Sequence, residues 1–221
     1  EDELGPVSRE FESFDTDAIS GASLGQVYVA ELDGQRVAVK VRRPGIEDLV
    51  EADLRVIRWS VPLLMQFIGQ ARAFSLENLA DEFARTIRQE MDYDREATML
   101  AEIRENFADD DDVAIPAVVE SHSGQRVLTM EYLGGTKIND VATLDEKGID
   151  RNDLAETLQR SYLQMIIEDG VFHADPHPGN LSVRDDGTVV FYDFGMSGRV
   201  DAFIQDKIVD FYVAVANQDI D

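Results

Sequence analysis

Two early stretches dominated by apolar residues, "VYVAEL" (27–32) and "QRVAVKV" (35–41), flank the polar pair Asp33-Gly34. Two valine-rich runs on either side of an Asp-Gly pair predict two strands joined by a tight hairpin. The spacing then lengthens to a helical period over 46–70 and 76–106, and Ser75 reads as the N-cap of the second helix. Two apolar runs, "VAIPAVVES" (113–121) and "QRVLTMEYL" (125–133), predict a second antiparallel pair around Ser123-Gly124. A helix follows over 153–169, capped by Asn152 and stopped by Gly170. Short strands at 181–184 and 188–192 flank Asp186-Gly187, and 201–217 reads as an amphipathic helix. Residues 1–17 are polar and poorly patterned. Strands, long helices, strands, helix, hairpin, helix is an α+β order in two lobes, not a series of βαβ units. No internal repeat or long linker interrupts it.

Composition changes this picture in three ways. With 221 residues and 44% hydrophobic content, the chain can bury a sizeable core and is not disordered as a whole. The absence of cysteine removes disulfides, thiol catalysis and Cys-based zinc sites, and fits a reducing interior. The apolar run "VPLLMQFI" (61–68) holds a proline and a glutamine and is too short to span a bilayer, and no secretory signal is visible. The chain is thus expected to be a soluble, cytoplasmic piece.

Charge is the largest departure from ordinary composition. Forty-five acidic residues against 20 basic ones leave a formal net charge of −25, and the only lysines are Lys40, Lys137, Lys147 and Lys207. Self-repulsion of this size disfavours the compact state at low salt. At molar salt the Debye length falls to roughly 3 Å and most of that repulsion disappears. A salt-rich cytoplasm, as in a halophile, is the expectation. The charge argues against nucleic acid as a partner. The run Asp109–Asp112 reads as a solvated loop.

Four constellations carry chemistry. In "ISGASLGQVYVA", the glycine-rich pattern G-x-G-x-x-G-x-V falls on Ser20, Ala22, Gly25 and Val27, with Gly21 between. Such a turn lays backbone N–H groups over phosphates, though alone it also reads as an ordinary β-turn. Lys40 in "VAVKV" sits on an apolar strand of a chain that nearly avoids lysine, where it is either an exposed strand lysine or a phosphate ligand. In "VFHADPHPGNLSV", His173, Asp175 and Asn180 fit H-x-D-x-x-x-x-N. The aspartate faces an incoming hydroxyl, the asparagine holds a metal against phosphates, and Pro176, Pro178 and Gly179 break regular geometry. Asp193-Phe194-Gly195 then ends an apolar strand with a carboxylate suited to Mg²⁺. A carboxylate is needed to position Lys40: Glu90, Asp92 and Glu96 are candidates on the long helix, with Asp92 and Glu96 on one face at i, i+4. Glu96 is the first choice and Glu90 the second, with a solvated acidic face as the alternative.

The stretches "SGASLGQVYVA", "VAVKVRRPGI", "EMDYDREATML", "FHADPHPGN" and "DFGMSGRV" resemble the UbiB/AarF family of atypical kinases over about residues 18–200. The resemblance implies a protein-kinase-like two-lobe fold: an N-lobe over 1–132 with a long-helix insertion, and part of a truncated C-lobe over 133–221. It implies Mg-ATP bound between the lobes and a role in isoprenoid-quinone (ubiquinone-type) biosynthesis. By the same resemblance Lys40 is the phosphate-binding lysine, Glu96 its partner, Glu90 and Asp92 the family's E-x-D pair, and Asp175 the catalytic-loop aspartate. Asn180 and Asp193 are metal ligands, and His173 and His177 support the loop. Ser20, Gly21, Ala22, Ser23, Gly25, Val27 and Ala38 face the nucleotide, while Met130, Glu131 and Leu133 form the hinge against adenine.

Three departures qualify the resemblance. The family's A-A-A-S loop is Ser20-Gly21-Ala22-Ser23 here, and the glycine adds backbone freedom. The K-x-G-Q extension is not in this chain, and the chain stops soon after the metal motif, as an excised core would. No A-P-E segment follows D-F-G, which argues against protein substrates in trans. The expected enzyme is an ATP-dependent phosphotransferase or ATPase acting on a small or lipid-like molecule, peripheral to a membrane when full length. The alternative is a nucleotide-responsive binding module with slow or no turnover.

Overall fold

The computed structural model describes residues 2–21, 24–65 and 70–216. Along the chain come α1 (Val7–Glu10), β1 (Ser13–Phe14), β2 (Ser20–Gly21), β3 (Gly25–Leu32), β4 (Gln35–Arg42), α2 (Ile46–Met65), α3 (Gln70–Glu90) and α4 (Tyr93–Asn106). Then follow β5 (Val113–Ala114), β6 (Val127–Glu131), β7 (Thr136–Lys137), α5 (Val141–Glu146), α6 (Arg151–Leu163), β8 (Val171–His173), β9 (Leu181–Val183), β10 (Val189–Phe191), β11 (Ser197–Arg199) and α7 (Ala202–Ala216). The chain divides into two compact units: residues 1–95 with 119–130, and 96–118 with 131–221.

The first unit is built on a sheet ordered β1-β3-β4-β6, with β2 also pairing β3. The predicted hairpin forms with full register, Val27 opposite Lys40 and Leu32 opposite Gln35. Asp33 (φ 51°) and Gly34 (φ 72°) take the left-handed conformations that let a two-residue turn follow the strand twist. Phe11, Ala30, Val37, Val39 and Val127 form one buried cluster. The poorly patterned N-terminal stretch supplies Phe11 and the partly buried Leu4, Val7 and Phe14 to it. Leu24, together with Val50 and Leu54 of α2, Ala84 of α3 and Met91, forms a second cluster.

The helical span expected over 76–106 is broken. Asp92 leaves the helix, and its Oδ1 accepts the main-chain N–H of Arg95 at 3.1 Å, so it caps a new helix, α4. Asp92 therefore does not share a helical face with Glu96. Ser75 lies inside α3 rather than at its start, because the helix already begins at Gln70. Buried Arg42 braces the break by donating through Nη1 to Met91 O, and its Nη2 pairs with Glu47.

The second unit carries a sheet ordered β5-β10-β9-β7 and a two-stranded ribbon of β8 and β11. The second antiparallel pair expected from sequence does not form as a ladder. Val113 and Ala114 run parallel to Val189 and Val190. Pro116 lacks the N–H that a continuous ladder needs. Isolated bonds remain, from Glu131 N to Ala117 O in this unit and from Val119 N to Thr129 O in the first. The N-cap of α6 is Asp150, whose side chain accepts from Asn152 N, so the cap falls before the asparagine chosen from sequence. The helix ends in a π-helical segment over Gln164–Glu168, and Gly170 (φ 67°) stops it in the left-handed conformation.

Candidate functional site

In the first unit, strand register sets Ser20 opposite Val27 and Val27 opposite Lys40, one row across three strands. Gly21 is exposed opposite Gln26, and Ala38 is half-buried opposite Val29. Ala22 and Ser23 lie outside the described residues. Lys40 is 4% exposed, and its Nζ stands 5.1 Å from the centroid of the Tyr93 ring, within cation–π range. Tyr93 is buried, and it also explains Gly25. A Cβ at position 25 would lie 2.4 Å from Tyr93 Oη and 2.8 Å from Val41 O. Met130 is buried near the end of β6. Glu90 is the last residue of α3, half-buried, and Asp92 lines a cleft of about 500 Å³ with Arg58, Arg85 and Arg88.

In the second unit, Glu96 is 1% exposed on α4. Burial of a glutamate this deep requires partners for its charge. Lys40 belongs to the first unit and Glu96 to the second.

The loop from 173 to 180 is held by its own side chains. His173 closes β8 opposite Ser197, and its Nδ1 accepts the N–H of Asp175 at 3.1 Å. The ring is 1% exposed and meets Phe194 edge-on at 5.0 Å. Burial pushes the imidazole pKa down, while the charges of Asp193 and Asp175 oppose that shift. His177 Nδ1 accepts from Gly179 N at 3.0 Å, and His177 O accepts from Asn180 N at 2.8 Å. Asn180 Nδ2 donates to Asp175 Oδ2 at 2.9 Å and to Asp175 O at 3.2 Å. The Asp193-Phe194-Gly195 segment joins the same assembly. Ala174 N donates to Met196 O at 2.8 Å, Tyr192 N to Asn180 O at 3.1 Å, and Gly195 N to Asp193 Oδ1 at 3.0 Å. His173, Asp175, His177, Asn180 and Asp193 are thus tied together, with Asp175, Asn180 and Asp193 partly exposed.

Glu131 is exposed and Leu133 buried where β6 leads into β7, and both line a cleft of about 300 Å³ with Arg104, Phe107 and Arg184. Four residues given no role from sequence shape the surroundings within their own units. Tyr93 packs on Gly25 and Lys40, as described. Tyr192 Oη donates to Leu133 O at 2.8 Å, and Lys137 Nζ, over the Tyr192 ring, donates to Gly179 O at 2.7 Å. Tyr162 is pushed up to about 12, first by burial and then by the charge of Asp175, so its phenol stays protonated. The scarcity of lysine was the signal that singled out Lys40, and it applied equally to Lys137. The tyrosines carried no comparable signal.

Donor chemistry decides which ion the second unit suits. The side-chain oxygens of Asn180 and Asp193 suit a hard cation whose remaining ligands are phosphate and water. Among the described residues no three His, Cys, Asp or Glu side chains gather to hold a metal alone. The arrangement fits a metal that arrives with a phosphate ligand.

An α+β chain with this hairpin, an H-x-D-x-x-x-x-N loop and a following Asp-Phe-Gly is protein-kinase-like. All of residues 1–221 match the ABC1 atypical kinase-like domain, and the chain belongs to that family. It is 40% identical over 226 residues to the protein "activity of bc1 complex kinase 8, chloroplastic" of Arabidopsis thaliana, covering all of this chain and 30% of that relative. An uncharacterised Synechocystis protein is 37% identical over 221 residues, 99% of this chain and 38% of the relative. The chain therefore spans about a third of the length of these relatives. The solved Rv3197–erythromycin complex from Mycobacterium tuberculosis superposes with a TM-score of 0.66 at 28% identity, over 89% of this chain and 49% of that one. Among the described residues, no helix is long and apolar enough to cross a membrane.

Proposed function

We propose that the chain binds Mg-ATP and acts as a phosphotransferase or ATPase on a small or lipid-like substrate, in support of isoprenoid-quinone biosynthesis. The observation that carries the site assignment is the bond from Asn180 Nδ2 to Asp175 Oδ2, 2.9 Å, within a loop tied to the metal motif by Ala174 and Met196. It supports a reading in which Asp175 orients and deprotonates the attacking hydroxyl or water, and Asn180 and Asp193 hold the metal. When bound, Mg²⁺ would neutralise charge on the transferred phosphoryl group. Lys40, already desolvated and backed by the Tyr93 ring, is assigned to the phosphates, with Glu96 as its charge partner. Ser20, Gly21 and Val27 face the nucleotide in this reading, and the main chain of Met130–Leu133 meets adenine. Positioning and charge neutralisation supply most of the rate in such chemistry. The quinone role rests on family resemblance, and kinase naming of the chloroplast relatives supports phosphoryl chemistry.

Thermal shift with ATP in molar KCl, with and without Mg²⁺, tests this reading on the parent chain and Asp193→Asn. Mg-dependent stabilisation that vanishes in Asp193→Asn is the expected result. No stabilisation of the parent chain sinks the nucleotide reading. Asp175→Asn is expected to keep ATP affinity and lose turnover. If it also keeps biological rescue, the protein is a nucleotide-responsive module instead.

A further inference from the structure

We propose that the cleft lined by Arg104 and Arg184 in the second unit is a binding site for a small amphipathic carboxylate, separate from the nucleotide site. Three elements build it. Arg104 lies near the end of α4 and Phe107 just beyond it, where Phe107 N donates to Ile103 O at 3.2 Å. The chain then returns through β5, whose parallel register on β10 fixes Val113. Arg184 follows β9 directly and opens the turn into β10, its main-chain N–H donating to Thr188 O at 2.9 Å. With Ile115 and Leu133 these residues surround about 300 Å³, the small end of the range for ligand pockets. His173, Asp175, Asn180 and Asp193 are not among the lining residues, and of those assigned to the nucleotide only Glu131 and Leu133 reach the cleft.

The wall has an apolar part and a cationic part. Phe107, Val113, Ile115 and Leu133 are buried core residues that reach the cleft. Arg104 is exposed and Arg184 half-buried, and among the described residues neither makes an ion pair. Arg160 and Arg199 of the same unit are instead committed to Asp110 and Glu102. In a chain of net charge −25, two guanidinium groups left without a carboxylate on one cleft offer planar donor forks to an outside anion. The acids that line the cleft are engaged elsewhere: Asp110 accepts from Arg160 Nη2 at 3.2 Å, and Glu131 accepts the main-chain N–H of Ala117 at 3.4 Å. Their remaining charge opposes a phosphate dianion more than a carboxylate monoanion. A neutral apolar ligand would desolvate the guanidinium groups without pairing them, and a wholly polar anion would leave the apolar wall wet. A flat carboxylate with an apolar body satisfies both parts.

NMR titration of the parent chain with cinnamate, cinnamamide and acetate tests the site, at one KCl concentration that keeps the chain folded. Hydrogen bonds from charged donors predict that cinnamate binds at least about tenfold tighter than the neutral amide. Burial of its phenyl body predicts at least about a tenfold preference over acetate. In the double variant Arg104→Met with Arg184→Met, the preference for cinnamate over the amide should shrink to within about threefold. Arg43→Met, at an exposed arginine of the first unit, controls for the general loss of positive charge and should leave the ratio unchanged. A parent that does not prefer cinnamate to both other probes overturns the proposal, as does a double variant that keeps the parent's ratio. An equal fall in Arg43→Met also overturns it, since the effect would then belong to the field of the whole chain. Displacement of cinnamate by Mg-ATP in simple competition puts the probe in the nucleotide site and overturns a separate one. If the double variant does not fold, Arg184→Gln is measured against the same ratio, which should fall at least about threefold.

Discussion

Replacing Gly25 with alanine tests why a glycine stands in the loop proposed to face phosphates. Gly25 does not adopt a positive φ, so conformational freedom is not the reason. The reason is space. The new Cβ would lie 2.4 Å from Tyr93 Oη and 2.8 Å from Val41 O. Neither neighbour yields easily: Tyr93 is 1% exposed, and Val41 is in the paired register of β3 and β4. Overpacking of this kind costs about 1–3 kcal/mol, and two hard contacts place Gly25→Ala at about 2–3 kcal/mol. For a chain of this size each kcal/mol moves the melting temperature by about 2–4 °C, so a loss of about 4–12 °C is expected by calorimetry. Adding Tyr93→Phe removes the closer contact and leaves the one with Val41, so the double variant should recover about half of that loss. The reasoning is refuted if Gly25→Ala melts within about 1 °C of the parent. It also fails if the double variant is no better than the single one.

Arg42→Met removes a charged donor from Met91 O and should cost about 1.5–3 kcal/mol in denaturant unfolding, with a smaller effect if α3 and α4 do not need that brace. Tyr162→Phe deletes a buried hydroxyl that has no hydrogen-bond partner among the described residues, so stability should hold or rise by up to about 1 kcal/mol; a larger loss would reveal an acceptor. Arg160 hydrogen-bonds to Asp110 and holds its carboxyl below the usual carboxylate range. The stabilisation is complete above the unfolded value near 3.8 and is lost as pH falls through the lowered folded value, so Asp110→Asn should flatten acid unfolding there. The net charge of −25 predicts a melting temperature that rises between dilute buffer and molar KCl, and equal stability in both would remove the case for a salt-rich interior.

The first hairpin was legible because local signals agreed: valine-rich runs on both sides of Asp33-Gly34 match the observed pairing. Asp175, Asn180 and Asp193 were legible as a set because their spacings reflect one loop and one strand end. The break between α3 and α4 was not, since Met91-Asp92-Tyr93 holds neither proline nor glycine and apolar spacing continues through it. What decides it is Asp92 capping and Arg42 reaching Met91 O, a contact far away in sequence. Similarly, "VAIPAVVES" looked like a strand partner for "QRVLTMEYL", but Val113 and Ala114 pair with Val189 and Val190. Short apolar runs carry no information about which edge they will join.

The ribbon of β8 and β11 has a consequence for local opening. Its pairs run from Ser197 opposite His173 to Arg199 opposite Val171, and the bonds Ala174 N–Met196 O and Val200 N–Gly170 O continue it at either end. The segment bearing Asp175 and the segment after Asp193 therefore unzip as one cooperative patch. In amide hydrogen exchange, Ala174 and Val200 should gain or lose protection together, and a ligand gripping only Asp193 would slow solvent access to the peptide beside Asp175.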